Sequence, residues 1–300
     1  MLTGIHFLLT YRCTSACEHC FIFGSHEAEG TFTVAQLRGA FAQIAKVKSL
    51  DNVYFEGGEP FIVYPLLLEG VRLAKTQGLK SGIVSNAYWA TDPATAELWL
   101  KPLIESGLSD MGLSDDAFHN PDGGASPAQY AITAAAKLGL EAYSMCIEPP
   151  TITIEDKGRS KGQPIVGGGV RFRGRAAECL VADLPRQDSK TFRECPDEDL
   201  KNPSRVHVDS FGNIHLCQGL LMGNMWQTPL SELIENYKGK AHPIVWPLIE
   251  GGPAALAARY GLELASGHVD ACHLCYEARK KLQGKFPEFL GPARVYGVGD

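Results

Sequence analysis

Three thiols stand within eight residues near the start of the chain, in the run "CTSACEHC" from Cys13 through Cys17 to Cys20. The whole chain has nine cysteines in 300 residues, so this Cys-x3-Cys-x2-Cys group is too dense to read as incidental buried thiols. A structural zinc site prefers four protein ligands, often in Cys-x2-Cys pairs, and no fourth partner stands nearby. An iron–sulfur cube commonly takes four thiolates, so three leave one iron open to a further ligand. That makes the run a place for chemistry. Some forty residues on, "GGEP" (Gly57, Gly58, Glu59, Pro60) closes a strand-like stretch and by itself reads as a turn.

A second set of thiols lies downstream: Cys195, Cys217 at the end of "GNIHLC", and Cys272 with Cys275 in "CHLC". Four thiolates satisfy a cube completely, or a tetrahedral zinc ion, and both remain open at this point. Cys146 falls in a strand-like run and Cys179 on a helix-like one; both read as small buried residues.

Positioning these groups is the work of an alternating β-then-α pattern. "GIHFLLT" reads as a strand that feeds the first cysteine loop, and Thr33 with Gln36 forms a capping box ahead of apolar residues at helical spacing. "NVYFEGGEP", "KSGIVSN", "DMGLSDD" and "LEAYSMCIE" are four further strands, with helices opening at Pro65, at Asp92-Pro93 and at Ser126-Pro127. A loop rich in Gly and Lys follows Pro150, and "GGVRFRG" is expected to be a sixth strand. Such a repeat builds a parallel sheet with helices outside and puts chemistry at the C-terminal strand ends, where each unusual stretch falls. The expected fold is α/β: a partial (β/α)6 TIM-type barrel over residues 1–176, then a smaller C-terminal α+β cluster-binding domain over residues 177–300. In the second part "RVHVDSFGNIHLC" is a hairpin, and helices are expected after Pro229, in "GGPAALAARYG" and after "CHLC".

Composition narrows the function classes. The net charge is −6 and no run of Lys and Arg makes a basic face, so nucleic acid is not an expected partner. Arg171, Arg173 and Arg175 read as a short site for one anionic group or as a solvated rim. No stretch approaches the ~20 apolar residues of a membrane span, and the N-terminus lacks a cationic export signal. The expected compartment is the cytoplasm, where clustered thiols serve metal or redox chemistry.

Together, "CTSACEHC" after the first strand and "GGEP" after the second resemble the two signatures of the radical S-adenosylmethionine (SAM) superfamily. The resemblance implies a [4Fe–4S] cluster on Cys13, Cys17 and Cys20 whose open iron chelates the methionine moiety of SAM. One electron then splits the sulfonium, giving methionine and a 5′-deoxyadenosyl radical that abstracts hydrogen from a substrate. Gly57, Gly58, Glu59 and Pro60 are implied to cradle the methionine ammonium, and His19, where the family usually has Tyr or Phe, to pack near the adenine. Ser85, Asn86 and Ser114 are implied to hold the ribose and the methionine carboxylate. The second thiol set resembles the twitch domain, a shortened SPASM domain, which implies one auxiliary [4Fe–4S] cluster on Cys195, Cys217, Cys272 and Cys275.

A fully ligated second cluster favours a net two-electron oxidation of a small molecule or short peptide segment, with an electron donor such as flavodoxin or ferredoxin. Asp115 and His119 are candidate bases, and Asp116, Tyr88 and Arg171 candidate substrate contacts. With Cys13 so near the start, no leader-binding domain is expected ahead of it. A peptide-crosslinking maturase would then need a separate leader-binding partner. An electron carrier that never cleaves SAM is the reading from another class, and "GGEP" argues against it.

Overall fold

The computed structural model describes residues 1–121, 123–154 and 164–298. Strand β1 (Gly4–Thr10) shows how the sheet is built. Successive side chains point to opposite faces, and Phe7 stacks on Phe55 and on Phe41 of the covering helix at 5.8 and 5.4 Å. His6 faces the other way, stacked on Tyr54 at 5.0 Å. The chain continues through α1 (Val34–Ile44), β2 (Asn52–Gly57), α2 (Tyr64–Thr76), β3 (Lys80–Ser85), α3 (Pro93–Ser106), β4 (Asp110–Ser114), α4 (Pro127–Lys137) and β5 (Glu141–Met145). Local chemistry sets the helix starts. The Thr33–Gln36 capping box is formed, Asp92 accepts from the backbone of Ala94 and Thr95, and Ser126 accepts from Gln129 N.

Two further strands, β6 (Thr151–Ile154) and β7 (Pro164–Gly167), pair as an antiparallel hairpin where a plain loop was expected; residues 155–163 of that loop lie outside the described residues. Then come α5 (Ala176–Cys179), β8 (Gln187–Asp188), β9 (Arg205–Asp209), β10 (Asn213–Cys217), β11 (Leu220–Asn224), α6 (Leu230–Asn236), α7 (Val245–Arg259), β12 (Gly267–His268) and α8 (Ala271–Leu282).

The main sheet has eight strands in the order β11-β10-β9-β1-β2-β3-β4-β5. Strands β1 to β5 are parallel in succession, and β9 lies parallel to β1, so six parallel strands form an open, partial barrel. The sixth, however, is not the expected one. Residues 168–174 form no strand and join no ladder of the sheet; Val170 and Phe172 are buried in a small separate core with Ala176, Val181 and Val269. The place next to β1 is taken by β9, the first arm of the predicted hairpin. The main apolar core runs from Phe7 and Phe41 to Val208, Leu256 and Tyr296, on both sides of residue 176. Among the described residues no helix is long and apolar enough to cross a membrane.

Candidate active site

The C-terminal ends of the parallel strands surround a cavity of about 150 Å³. Its lining includes Cys13, Cys17 and Cys20 from the loop after β1, Gly57 and Gly58 after β2, Ser85 and Asn86 after β3, Ser114 and His119 after β4, and Met145 after β5. Backbone N–H groups point at the sulfurs, from Ser15 to Cys13 Sγ (3.4 Å) and from Gly24 to Cys20 Sγ (3.2 Å). The Asn86 amide lies 3.6 Å from Cys13 Sγ and donates to Thr14 Oγ1 at 3.0 Å. Burial pushes the Cys13 thiol up to about 12. A thiolate at that position therefore needs a cationic group in place of its proton.

The expected residues divide. His19 lines the cavity, with its ring 4.4 Å from Phe118 and 5.3 Å from His119. Gly57 and Gly58 are in place, but the space their missing Cβ atoms leave is filled by the end of β1 and the start of the cysteine loop. A Cβ on Gly58 would stand 2.1 Å from the Arg12 carbonyl oxygen, and one on Gly57 2.4 Å from that of Thr10. Glu59 and Pro60 lie behind the cavity, not on it. The buried Glu59 carboxylate accepts from Phe61 N (3.0 Å), Ser85 Oγ (2.9 Å) and Asn86 N (2.8 Å), tying the end of β2 to the end of β3. Burial outweighs those bonds and raises Glu59 to about 7. Ser85 is similarly engaged, since its Oγ also accepts from Trp89 Nε1 and Ala87 N.

Of the candidate bases, His119 reaches the cavity but Asp115 turns away, toward Gln129 Nε2 at 3.5 Å. Its neighbour Asp116 is the residue the cavity uses. It is buried, accepts from the backbone of Phe118 and Ile147, and holds His119 Nδ1 at 2.7 Å. Burial works against charge on His119, yet the bonds to Asp116 and Cys17 raise it to about 10. Tyr88 is exposed and Arg171 pairs with Asp197 at 2.9 Å, so neither lines the cavity.

The second set converges as a separate group. Cys195, Cys217, Cys272 and Cys275 line one small cavity of about 30 Å³. Cys272 and Cys275 share a face of the first turns of α8, whose N-cap Asp270 accepts from His273 N at 2.7 Å. The helix α7 is kinked at Gly251 and Gly252, and a Cβ on Gly252 would stand 2.3 Å from the backbone of Arg193 and Glu194. That kink lets the segment carrying Cys195 lie against α7. Two guanidinium groups face the sulfurs: Arg173 Nη1 donates to Cys217 Sγ at 3.1 Å, and the buried Arg279 has Nη2 at 4.0 Å from the same atom. Guanidinium groups so placed favour negative charge on these sulfurs, and Arg279 also donates to the Gln218 carbonyl at 2.9 Å. By contrast, Cys146 and Cys179 are exposed, contrary to the burial expected of them.

The short basic stretch has a role that its sequence did not reveal. While Arg173 reaches the second thiol set, Arg175 donates to the carbonyls of Cys17 (2.6 Å) and Gly24 (2.9 Å), and its backbone N–H to that of Cys20 (2.9 Å). One segment therefore bridges the two thiol sets. Alternation of Arg with Val and Phe was the available signal, but it does not say which sulfur each Arg meets.

Comparison with known structures places this architecture. BtrN in complex with AdoMet and 2-DOIA superposes with a TM-score of 0.52 at 15% identity, over 79% of this chain and 83% of that one. Native anSMEcpe with bound AdoMet gives 0.50 at 13% identity, over 99% of both chains. The fold is that of the radical SAM enzymes. In sequence, the chain is 24% identical over 113 residues to the putative peptide biosynthesis protein YydG of Bacillus subtilis (strain 168). That match spans 38% of this chain and 35% of YydG. No family model matches the chain. On this radical SAM scaffold the three-thiol cavity occupies the mouth of the partial barrel, and the four-thiol group lies beside the strands added after β5.

Proposed function

We propose that the chain is a radical SAM enzyme that abstracts hydrogen from a peptide segment. The observation that carries the reading is the cavity at the strand ends, lined by three cysteines, two of whose sulfurs, Cys13 and Cys20, receive backbone N–H donors. A [4Fe–4S] cluster with SAM, held there, supplies reductive cleavage of a carbon–sulfur bond and hydrogen-atom abstraction. Cys13, Cys17 and Cys20 would bind the cluster; Ser15 and Asn86 donate to the Cys13 sulfur and Gly24 to that of Cys20, which would disperse thiolate charge. Gly57 and Gly58 seat the cysteine loop against the end of β2. Asn86 and Ser114 offer polar groups at the rim, and the His19 ring, packed on Phe118 at 4.4 Å, offers an aromatic face to a nucleobase. Val84, Met145 and Ile147 exclude water from the interior. Asp116 orients His119 toward Cys17 as a positioning pair.

Residues 177–300 form, in this reading, a unit that carries a second cluster on Cys195, Cys217, Cys272 and Cys275. Arg173 and Arg279 offset its negative charge. The bridge through residues 173–175 suits a net two-electron oxidation, because it fixes the second site beside the first. The peptide substrate is supported by the likeness to YydG; a small molecule is the second reading, favoured by the fold likeness to BtrN with 2-DOIA.

The test is anaerobic reconstitution, reduction with dithionite and addition of SAM. The expected product is 5′-deoxyadenosine, absent from the Cys13/Cys17/Cys20→Ala variant. Loaded protein that forms none would be a carrier or scaffold and not an enzyme.

A further inference from the structure

Below the cysteines, the interior of the barrel holds a polar group that the proposed chemistry does not use. His6 on β1 pairs in register with His207 on β9, and Glu56 lies on β2, the other neighbour of β1, in register with Leu8, two residues beyond His6. By strand alternation the three side chains share the interior face. Glu56 Oε1 is 2.9 Å from His207 Nε2 and 3.5 Å from His6 Nδ1. The donor atoms of all three lie within 4.8 Å of one another.

These contacts are not aligned as hydrogen bonds. His6 Nδ1 and Glu56 Oε1 are buried without a hydrogen-bond partner, so the atoms crowd a common point instead of donating to each other. A fourth group joins them: Gln218, itself buried, has its amide nitrogen 3.3 Å from His207 Nε2 and its Oε1 unpartnered. Amide oxygen and nitrogen are assigned from surroundings, and the flipped amide would aim an oxygen at the same point. Ligands held about 2.0–2.1 Å from a tetrahedral ion stand roughly 3.3 Å apart, a spacing the observed separations bracket.

We propose that His6, Glu56 and His207, with Gln218, bind a divalent transition-metal ion of the zinc class at the floor of the reaction cavity. Glu56 lines that cavity, so an ion held by these four groups could expand to five-coordinate and take a further oxygen from that side. There the ion would take a carbonyl or carboxylate oxygen of the substrate; this last role rests on the function proposed above, whereas metal binding does not.

The test adds Zn²⁺ to the reconstituted protein, removes excess by gel filtration, and measures bound zinc by mass spectrometry and its ligands by zinc-edge X-ray absorption. The expected result is about one zinc per chain with nitrogen and oxygen neighbours at about 2.0–2.1 Å and no sulfur at about 2.3 Å. Glu56→Gln and His207→Gln should weaken zinc at least about 100-fold, more than typical losses from outer-shell changes. Their iron content and circular dichroism should stay unchanged. Cys272→Ala/Cys275→Ala should keep the zinc, and so should Asp116→Asn, which alters the other His–Asp–His group at the cavity. Sulfur-bound zinc, no zinc, zinc indifferent to Glu56→Gln, or zinc lost with Asp116→Asn would each overturn the proposal. SAM cleavage is scored separately, so loss of zinc leaves the radical reading standing and the reverse also holds.

Discussion

Replacing Gly58 with alanine should cost the first thiol set its iron while the second stays filled. The added Cβ would stand 2.1 Å from the Arg12 carbonyl oxygen, 2.5 Å from its carbon and 2.7 Å from the Tyr11 carbonyl oxygen. All three are backbone atoms, and a tolerable contact is near 3.2 Å or more, so the loop must retreat by about 1 Å. That loop is anchored by Gly58 N to Thr10 O (2.7 Å) and Glu59 N to Arg12 O (2.9 Å), bonds that the retreat would break. Overpacking of this kind costs about 1–3 kcal/mol. At about 2–4 °C per kcal/mol for chains of somewhat smaller size, the melting temperature falls by roughly 2–12 °C. Cys13 follows Arg12 directly, so the sulfur spacing is disturbed at its first member. Iron analysis after anaerobic reconstitution should drop from about eight to about four per chain, with 5′-deoxyadenosine formation lost. If Gly58→Ala keeps all its iron and loses only SAM affinity, the glycine serves the approach of a ligand and the packing argument is refuted.

Three further outcomes are expected. Cys272→Ala/Cys275→Ala should lose about four irons per chain yet still cleave SAM without coupling to substrate, measured by iron analysis and 5′-deoxyadenosine yield. Asp116→Asn should keep the iron but lower stability by about 1–3 kcal/mol in denaturant melts, because its buried carboxylate serves Phe118, Ile147 and His119 at once. Glu59 is raised in the folded chain to about 7 from an ordinary 4.5, so its contribution to stability is full below the lower value and is lost as pH rises through the upper. Glu59→Gln should therefore flatten the fall in stability between those two pH values, and an unchanged slope would count against that burial effect.

Helix starts were legible because their chemistry is local: Asp92, Ser126 and the Thr33–Gln36 pair each satisfy backbone donors within a few residues. The last helix was expected after "CHLC", but α8 begins at Ala271 and takes in both thiols, so that Cys272 and Cys275, three apart, share its face. What else failed was long-range. "GGVRFRG" has strand-like alternation, but its Val170 and Phe172 find a small core of their own, and alternation does not name a ladder partner. "RVHVD" found that partner in β1, at a separation of about two hundred residues that no periodicity encodes. Asp115 and Asp116 were indistinguishable as neighbours at a strand end. Only the turn after Ser114 decides that one meets Gln129 and the other His119. Glu56 and His207 escaped notice because each is an ordinary polar residue until the sheet sets their strands on either side of β1.

The span from Arg173 to Arg175 works as a strut. Gly174 sits at φ 60 with Cys20 and Phe21 backbone so close that a Cβ would stand 2.6 Å from each, so the strut cannot slide. Its two ends grip different sulfur nests, and neither end can be pulled without dragging the other. In the proposed two-cluster enzyme the filled C-terminal nest braces the wall of the first through this strut, so a chain loaded only at its N-terminal thiols keeps that cluster but holds its wall less firmly.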